Sequence, residues 1–170
     1  LAIIIPVKNE EKNIPLVIED IKNKLKTINS LQIFFVDDGS TDSSWNIIKN
    51  IIQTDNININ AIKLSKNYGK DKALFAGLSR VKANYIVFYD CDMQFNSKYI
   101  KNMYDLIMID DSYIIQAKKK KKYVNKNSKI FYKIFNFLTG FNFDGDTYFK
   151  MFSNKIKEDL LLYNESDIFI

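Results

Sequence analysis

Tyr85-Ile86-Val87-Phe88-Tyr89-Asp90-Cys91-Asp92-Met93-Gln94 is an apolar run that breaks off into two aspartates and an amide. An unbroken apolar stretch closed by polar residues reads as a strand buried on both faces, the kind found inside parallel sheets. Ala2 to Val7, Gln32 to Val36, Ile59 to Leu64 and Tyr113 to Ala117 repeat the pattern. Helical stretches lie between these runs, at roughly 11–28, 42–54, 69–82 and 97–109. Thr41 or Ser43 suits the cap of the second, and Ile100, Met103, Tyr104 and Ile107 fall at helical spacing in the fourth. Alternation of this kind predicts one α/β domain with a Rossmann-like, mainly parallel sheet flanked by helices. No internal repeat and no domain boundary interrupts it.

Ligands of open α/β sheets bind beyond the carboxyl ends of the strands, so the residues just past each strand matter most. Pro6-Val7-Lys8-Asn9-Glu10-Glu11 closes the first and Asp37-Asp38-Gly39-Ser40-Thr41-Asp42 the second. Ser65-Lys66-Asn67-Tyr68-Gly69-Lys70 closes the third, and Asp90-Cys91-Asp92-Met93-Gln94 the fourth. Four polar segments at the same end of four strands should converge on one crevice. Asp90 and Asp92 share a face while the chain stays extended and diverge if it turns after Asp90. Hard oxygen donors of this type suit Mg²⁺ or Mn²⁺ beside a diphosphate. By spacing alone the pair means little, because chance predicts about 1.3 such pairs in a chain this rich in aspartate. Its place after a buried strand, in register with three other polar ends, gives it weight. Two adjacent aspartates closing a buried strand need donors, which favours Asp37 as a ligand contact for a nucleobase N–H. Asp38, Ser40 and Thr41 read equally well as turn and cap residues, and Glu10 as a helix cap or a ribose contact.

Composition removes several chemistries. The 170 residues contain no histidine and one cysteine, Cys91, which excludes a Ser-His-Asp triad, an HExxH zinc site, an intramolecular disulfide and multi-cysteine metal centres. Neither GxGxxG nor GxxxxGK[ST] occurs, so dinucleotide oxidoreductases and P-loop enzymes fit poorly. Chemistry must therefore run on carboxylates, lysines, hydroxyls or a bound ion. The net charge of +5 is carried by Lys118 to Lys122, an unbroken run of five lysines, and Arg80 is the single arginine. Beyond the run, Ile130, Phe131, Ile134, Phe135 and Leu138 form a helical stripe flanked by Lys129 and Lys133, which suits an interfacial helix on anionic lipid. A solvated lysine loop and a core stripe are the plainer readings. Nucleic acid is a poor partner, since no recognition motif is present and no aromatic interrupts the run to stack on bases. No apolar run approaches the ~18 residues of a membrane span. A chain opening on Leu1 inside an apolar run and closing on Ile168-Phe169-Ile170 is expected to be a soluble piece of a longer protein, without a signal peptide and truncated at its C-terminal end.

Together these residues resemble glycosyltransferase family 2, with its GT-A nucleotide-sugar fold. The matching stretches are IIIPVKNEEKNI (3–14), FFVDDGSTDSSW (34–45), SKNYGKDKALFAGL (65–78) and YIVFYDCDMQ (85–94), in order across residues 1–95. A closer likeness, to polyprenyl-phosphate glycosyltransferases of the dolichol-phosphate mannose synthase type, rests on NYGKDKALFAGL (67–78), DCDMQ (90–94), SKIFYKIFNFLTG (128–140) and DGDTYFKMFSNK (144–155). The resemblance implies a nucleotide-sugar-binding half over 1–95 and an incomplete acceptor-side half over 96–170. It implies that Pro6, Val7 and Glu10 line the nucleotide, that Asp37 meets the base, and that Asp90 approaches ribose and metal. Asp92 and Gln94 would join Asp90 in holding Mg²⁺ or Mn²⁺ at the diphosphate. Asp92 and Asp144 would be catalytic, with Asp146 an alternative register for the latter. Lys118, Lys126 and Ser128 would meet acceptor phosphate, although the family usually carries arginine where Lys118 and Lys150 stand.

The implied reaction is inverting transfer of a sugar from a UDP- or GDP-linked donor to a polyprenyl phosphate, on the cytoplasmic side of a membrane that anchors the full-length protein. A family 2 enzyme acting on a saccharide hydroxyl in surface-polysaccharide synthesis is the near alternative. A nucleotide-binding module without catalysis is the alternative of another class, and a nucleotidyltransferase a weaker one.

Overall fold

A computed structural model describes residues 1–110, 114–117 and 147–162. Six strands, β1 (Ala2–Val7), β2 (Gln32–Asp37), β3 (Asn58–Lys63), β4 (Tyr85–Phe88), β5 (Ile114–Gln116) and β6 (Lys150–Ser153), form one sheet in the order β3-β2-β1-β4-β6-β5. The helices are α1 (Asn13–Leu25), α2 (Ser44–Thr54), α3 (Lys70–Leu78), α4 (Lys98–Asp110) and α5 (Asn154–Leu162). The first four strands pair in parallel, while β6 runs antiparallel to both β4 and β5. The expected mainly parallel α/β sheet is thus present, with one reversed strand that the hydrophobic runs did not reveal.

Alternate side chains of each central strand serve opposite layers, as a pleated strand requires. Ile3, Ile5, Ile33 and Phe35 pack with α1, α2 and α4 residues such as Val17, Ile21, Ile48, Ile100 and Met103. Ala2, Ile4, Phe34 and Val36 pack on the other side with Leu74 and Leu78 of α3 and Ile156 and Leu160 of α5. Both faces of β1 are covered from Ala2 to Ile5, which is why the strand reads as a continuous apolar run, and only Pro6 is part-exposed. Gly77 lets α3 lie directly on the sheet, since a Cβ there would sit 2.6 Å from Ile4 Cγ2 and 2.9 Å from Val36 Cγ2. Those methyls belong to short, branched side chains in two central strands and have nowhere to turn. Gly77→Ala is therefore expected to lower Tm, because overpacking of about 1–3 kcal/mol outweighs a helix-propensity gain of about 1 kcal/mol. A thermal melt with unchanged or raised Tm would show that α3 rides free of the sheet.

The chain visits β1, β2 and β3 in one direction, then crosses to the other side of β1 for β4. Such a reversal places a crevice between the carboxyl ends of the two strands flanking it. β4 pairs with β1 only over Ala2–Ile4, whereas β2 stays paired as far as Val7. Pro6 falls on the side that β4 has left, so its missing N–H costs no ladder bond there. β1 and β4 part beyond Ile4 and Phe88, and the polar segments fill the gap.

A candidate nucleotide site at the strand switch point

The loop after β1 is laced to the loop after β2. Asn9, at φ 56°, donates its N–H to Ser40 Oγ (3.0 Å), and its side-chain oxygen accepts from the Thr41 N–H (2.8 Å). The Glu10 N–H donates to Ser44 Oγ (2.8 Å) and the Glu11 N–H to Asp42 Oδ2 (3.2 Å). Asp42 also accepts the Ser44 N–H (2.9 Å), so the start of α2 is satisfied by Asp42 rather than by Thr41 or Ser43. The Glu10 carboxylate accepts from Asn13 Nδ2 (2.6 Å), and its carbonyl accepts the first N–H groups of α1.

The loop after β3 is tied in by Asp38. Its two carboxylate oxygens accept the Tyr68 N–H (2.7 Å) and the Gly69 N–H (2.9 Å). Gly39, at φ 66°, lies flat against the Lys66–Asn67 backbone, and the Lys8 ammonium donates to its carbonyl. In the fourth loop Asp90 forms an ion pair with Lys70, while Asp92 accepts from both the backbone N–H (3.1 Å) and the side-chain amide (2.7 Å) of Gln94. Met93 at φ 54° makes the turn. The two aspartates therefore diverge, Asp90 half-buried and Asp92 exposed. Tyr89 braces the turn by donating to the Phe95 carbonyl (2.5 Å), and Phe149 lies within 5.4 Å of both aromatic rings.

These four loops enclose a cleft of about 260 Å³. Pro6, Val7, Glu10, Asp90 and Asp92, all singled out in the sequence, line it. So do Asp38, which the sequence left open between a ligand and a turn role, and Lys8, Asn67, Gly69 and Lys70, to which it assigned none. Asp37 is placed differently from expectation. It is wholly buried and off the cleft wall, with Oδ1 accepting the Ser40 N–H (2.8 Å) and Oδ2 3.9 Å from the Lys63 ammonium. Asp37 is still a strand residue in register with Val7, whereas Asp38 is the first residue beyond the strand. That one-residue step carries the acidic group into the cleft. Gln94 holds Asp92 without lining the cavity. Lys118, Lys126, Ser128, Asp144 and the 128–140 stripe lie outside the described residues.

The electrostatics select among chemistries. Burial pushes the Cys91 thiol pKa up, and the Glu10, Asp92 and Asp90 carboxylates push it further, so Cys91 is protonated and unsuited to act as a nucleophile. Lys150 is completely buried opposite Phe88, at the cleft end of the sheet, and desolvation lowers its amine to about 7. Asp90 and Asp92 supply hard oxygen donors at the cleft, and the Gln94 amide is turned to Asp92. No third carboxylate, nor a cysteine, joins Asp90 and Asp92 in a closed cage among the described residues. That set suits an ion of the magnesium class, which takes one or two carboxylates and completes its shell with phosphate oxygens and water.

The model of glycosyl transferase family 2 matches residues 2–161. The chain belongs to that family. Over 95 residues this family 2 domain is 36% identical to CsbB of Bacillus subtilis (strain 168), which bears a glycosyltransferase name; the match covers 55% of this chain and 29% of CsbB. The solved structure of Staphylococcus aureus TarS 1-349 in complex with UDP-GlcNAc superposes with a TM-score of 0.68 at 20% identity, over 95% of this chain and 47% of TarS 1-349. The mannosyltransferase PcManGT of Pyrobaculum calidifontis, in complex with GDP-Man and Mn²⁺, gives 0.69 at 16% identity, over 94% of this chain and 46% of PcManGT. These likenesses show the GT-A fold. The family 2 domain spans under a third of CsbB and about half of the two structures. No helix among the described residues is long and apolar enough to cross a membrane.

Proposed function

We propose that this domain binds the donor of a metal-dependent, inverting glycosyltransferase that moves a sugar from a nucleoside diphosphate to a polyprenyl phosphate at a membrane surface. The observation that carries the donor half is the cleft at the β1–β4 switch point, where Asp90 and Asp92 stand opposite Pro6, Val7, Glu10 and Asp38. The wall from β1 and Asp38 takes the nucleoside, and the Asp90–Asp92 edge takes the diphosphate. TarS and PcManGT, solved with UDP-GlcNAc and with GDP-Man and Mn²⁺, support a nucleotide-sugar ligand on this fold. A divalent ion bound at Asp90, Asp92 and Gln94 supplies positive charge against the charge building on the leaving diphosphate.

Transfer is a single displacement. An acceptor oxygen forms a bond to the anomeric carbon from the face opposite the leaving group, the carbon–oxygen bond to the diphosphate breaks, and the nucleoside diphosphate leaves with the electron pair. A phosphate acceptor arrives already anionic at neutral pH, so it needs orientation and countercharge rather than a strong base. A saccharide hydroxyl would need a carboxylate to take its proton. The lipid-phosphate assignment is supported by the sequence likeness over 128–140 and 144–155 and by the neighbouring lysine run, with Lys118, Lys126, Ser128 and Asp144 as proposed acceptor-side residues.

Calorimetric titration of UDP- and GDP-sugars into the full-length protein, with and without Mn²⁺, tests the donor site. One nucleotide class is expected to bind, and only with metal. Folded protein that binds neither would overturn the reading. Sugar delivered to an oligosaccharide but not to a short-chain polyprenyl phosphate would replace the lipid acceptor with a saccharide.

A further inference from the structure

Two lysines, Lys8 and Lys70, face four carboxylates, Glu10, Asp38, Asp90 and Asp92, around the cleft. A wall of that balance repels a diphosphate unless cations are added or rearranged. Lys8 is directed to the Gly39 carbonyl and Asp38 to two backbone N–H groups, so both help hold the loops together. Lys70 differs. Its ammonium sits on Asp90 Oδ1, and it lies over the Tyr148 ring at 4.3 Å. Tyr148 in turn donates to Asp71, whose carboxyl pKa is raised by burial against that hydrogen bond and the Lys70 charge. The Lys70 ammonium is thus held between the Tyr148 ring, in the segment leading into β6, and Asp90, one of the two carboxylates proposed to hold the metal.

We propose that Lys70 is an exchangeable cation of the donor site: it pairs with Asp90 until a divalent ion takes that carboxylate, then turns to the donor's diphosphate. The proposal rests on the nucleotide-sugar reading above. Both partners of the pair are partly exposed, and ion pairs at such positions are held weakly, so the exchange costs little. The destination is close at hand, because Gly69 and Lys70, the cap and first residue of α3, line the same cavity as Asp90 and Asp92. A divalent ion and a lysine on one carboxylate repel each other, whereas the same two cations on one diphosphate are held together by it. Lys70 therefore opposes metal binding in the absence of nucleotide and supports nucleotide binding in the presence of metal.

Those opposite signs are the test. Free Mn²⁺ measured by electron paramagnetic resonance, with full-length protein and no nucleotide, is expected to show Lys70→Met binding the ion about tenfold more tightly than wild type. At saturating Mn²⁺, calorimetry with the nucleoside diphosphate is expected to show binding about tenfold weaker in Lys70→Met and largely kept in Lys70→Arg. A purely structural lysine would move both affinities in the same direction, and that outcome, or no change in either, overturns the proposal. Wild-type protein that takes Mn²⁺ but no nucleotide would overturn the donor-site reading as well. Wild type that binds nucleotide, with Lys70→Met behaving identically, would overturn this proposal alone.

Discussion

Asp92→Asn is expected to reduce sugar transfer by the full-length protein about a thousandfold while leaving its melting temperature nearly unchanged. Loss of one anionic metal ligand removes about 4 kcal/mol of transition-state stabilisation, and each ~1.4 kcal/mol is a factor of ten in rate. Stability is spared because Asp92 is exposed and its contacts are with Gln94, two residues away. An asparagine carbonyl still accepts one of those N–H donors, and surface substitutions of this kind usually stay within about 0.5 kcal/mol. Single-turnover transfer measured beside a thermal melt separates the two effects. Transfer within about threefold of wild type would remove Asp92 from the proposed metal site, since no lost carboxylate ligand is that mild. A collapse of Tm alongside activity would instead make Asp92 a folding residue.

Gly39→Ala is expected to have the largest effect on stability among substitutions at the cleft. At φ 66° an alanine costs about 1–2 kcal/mol before any contact is considered. Its Cβ would then stand 2.6 Å from the Lys66 carbonyl carbon and 2.8 Å from the Asn67 nitrogen, which are backbone atoms that cannot swing aside. Moving that strand of backbone means disturbing the bonds from Tyr68 and Gly69 to Asp38, each a charge-assisted bond. The total loss is about 3–4 kcal/mol, or a Tm lower by about 10 °C for a domain of this size. Gly69→Ala is the control. Gly69 also has positive φ, at 94°, but nothing lies within 4 Å of its added Cβ, so it should lose only backbone strain of about 1–3 kcal/mol. Equal losses in the two variants would mean that the collision with the third loop is relieved at no cost. The cleft would then be softer than its hydrogen bonds indicate.

Both predictions concern loops, and the two kinds of loop residue differ in how visible they are in the sequence. Asp90 and Asp92 stand out because a buried strand ends on them, and strand ends point to ligands in this architecture. Asp38 and Lys70 do not stand out. An aspartate next to another aspartate, or a lysine opening a helix, has too many ordinary uses, and what distinguishes them is a partner about 30 or 20 residues away. Asp37 reads as a ligand in the sequence because a buried carboxylate needs a donor. A turn supplies one donor locally, the Ser40 N–H three residues on, while Oδ2 has no hydrogen-bond donor among the described residues and faces the Lys63 ammonium at 3.9 Å, off the cleft.

Pattern alone determined the layered α/β class, the four parallel strands that open the fold, the family, and the end of the sheet at which polar residues gather. Those properties depend on burial periodicity and on short segments whose meaning is local, so they survive without coordinates. Tertiary structure decided the rest. β6 is a strand because Lys150–Ser153 finds β4 on one side and β5 on the other, and nothing in four residues containing a lysine and a serine announces that pairing. Asp38 faces the cleft and Asp37 does not because pairing with β1 and β3 extends through Asp37 and no further. Lys70 meets Asp90 because the crossover places the start of α3 beside the end of β4. Each is a contact between segments distant in sequence, and such contacts exist only once the sheet has set which strands are neighbours.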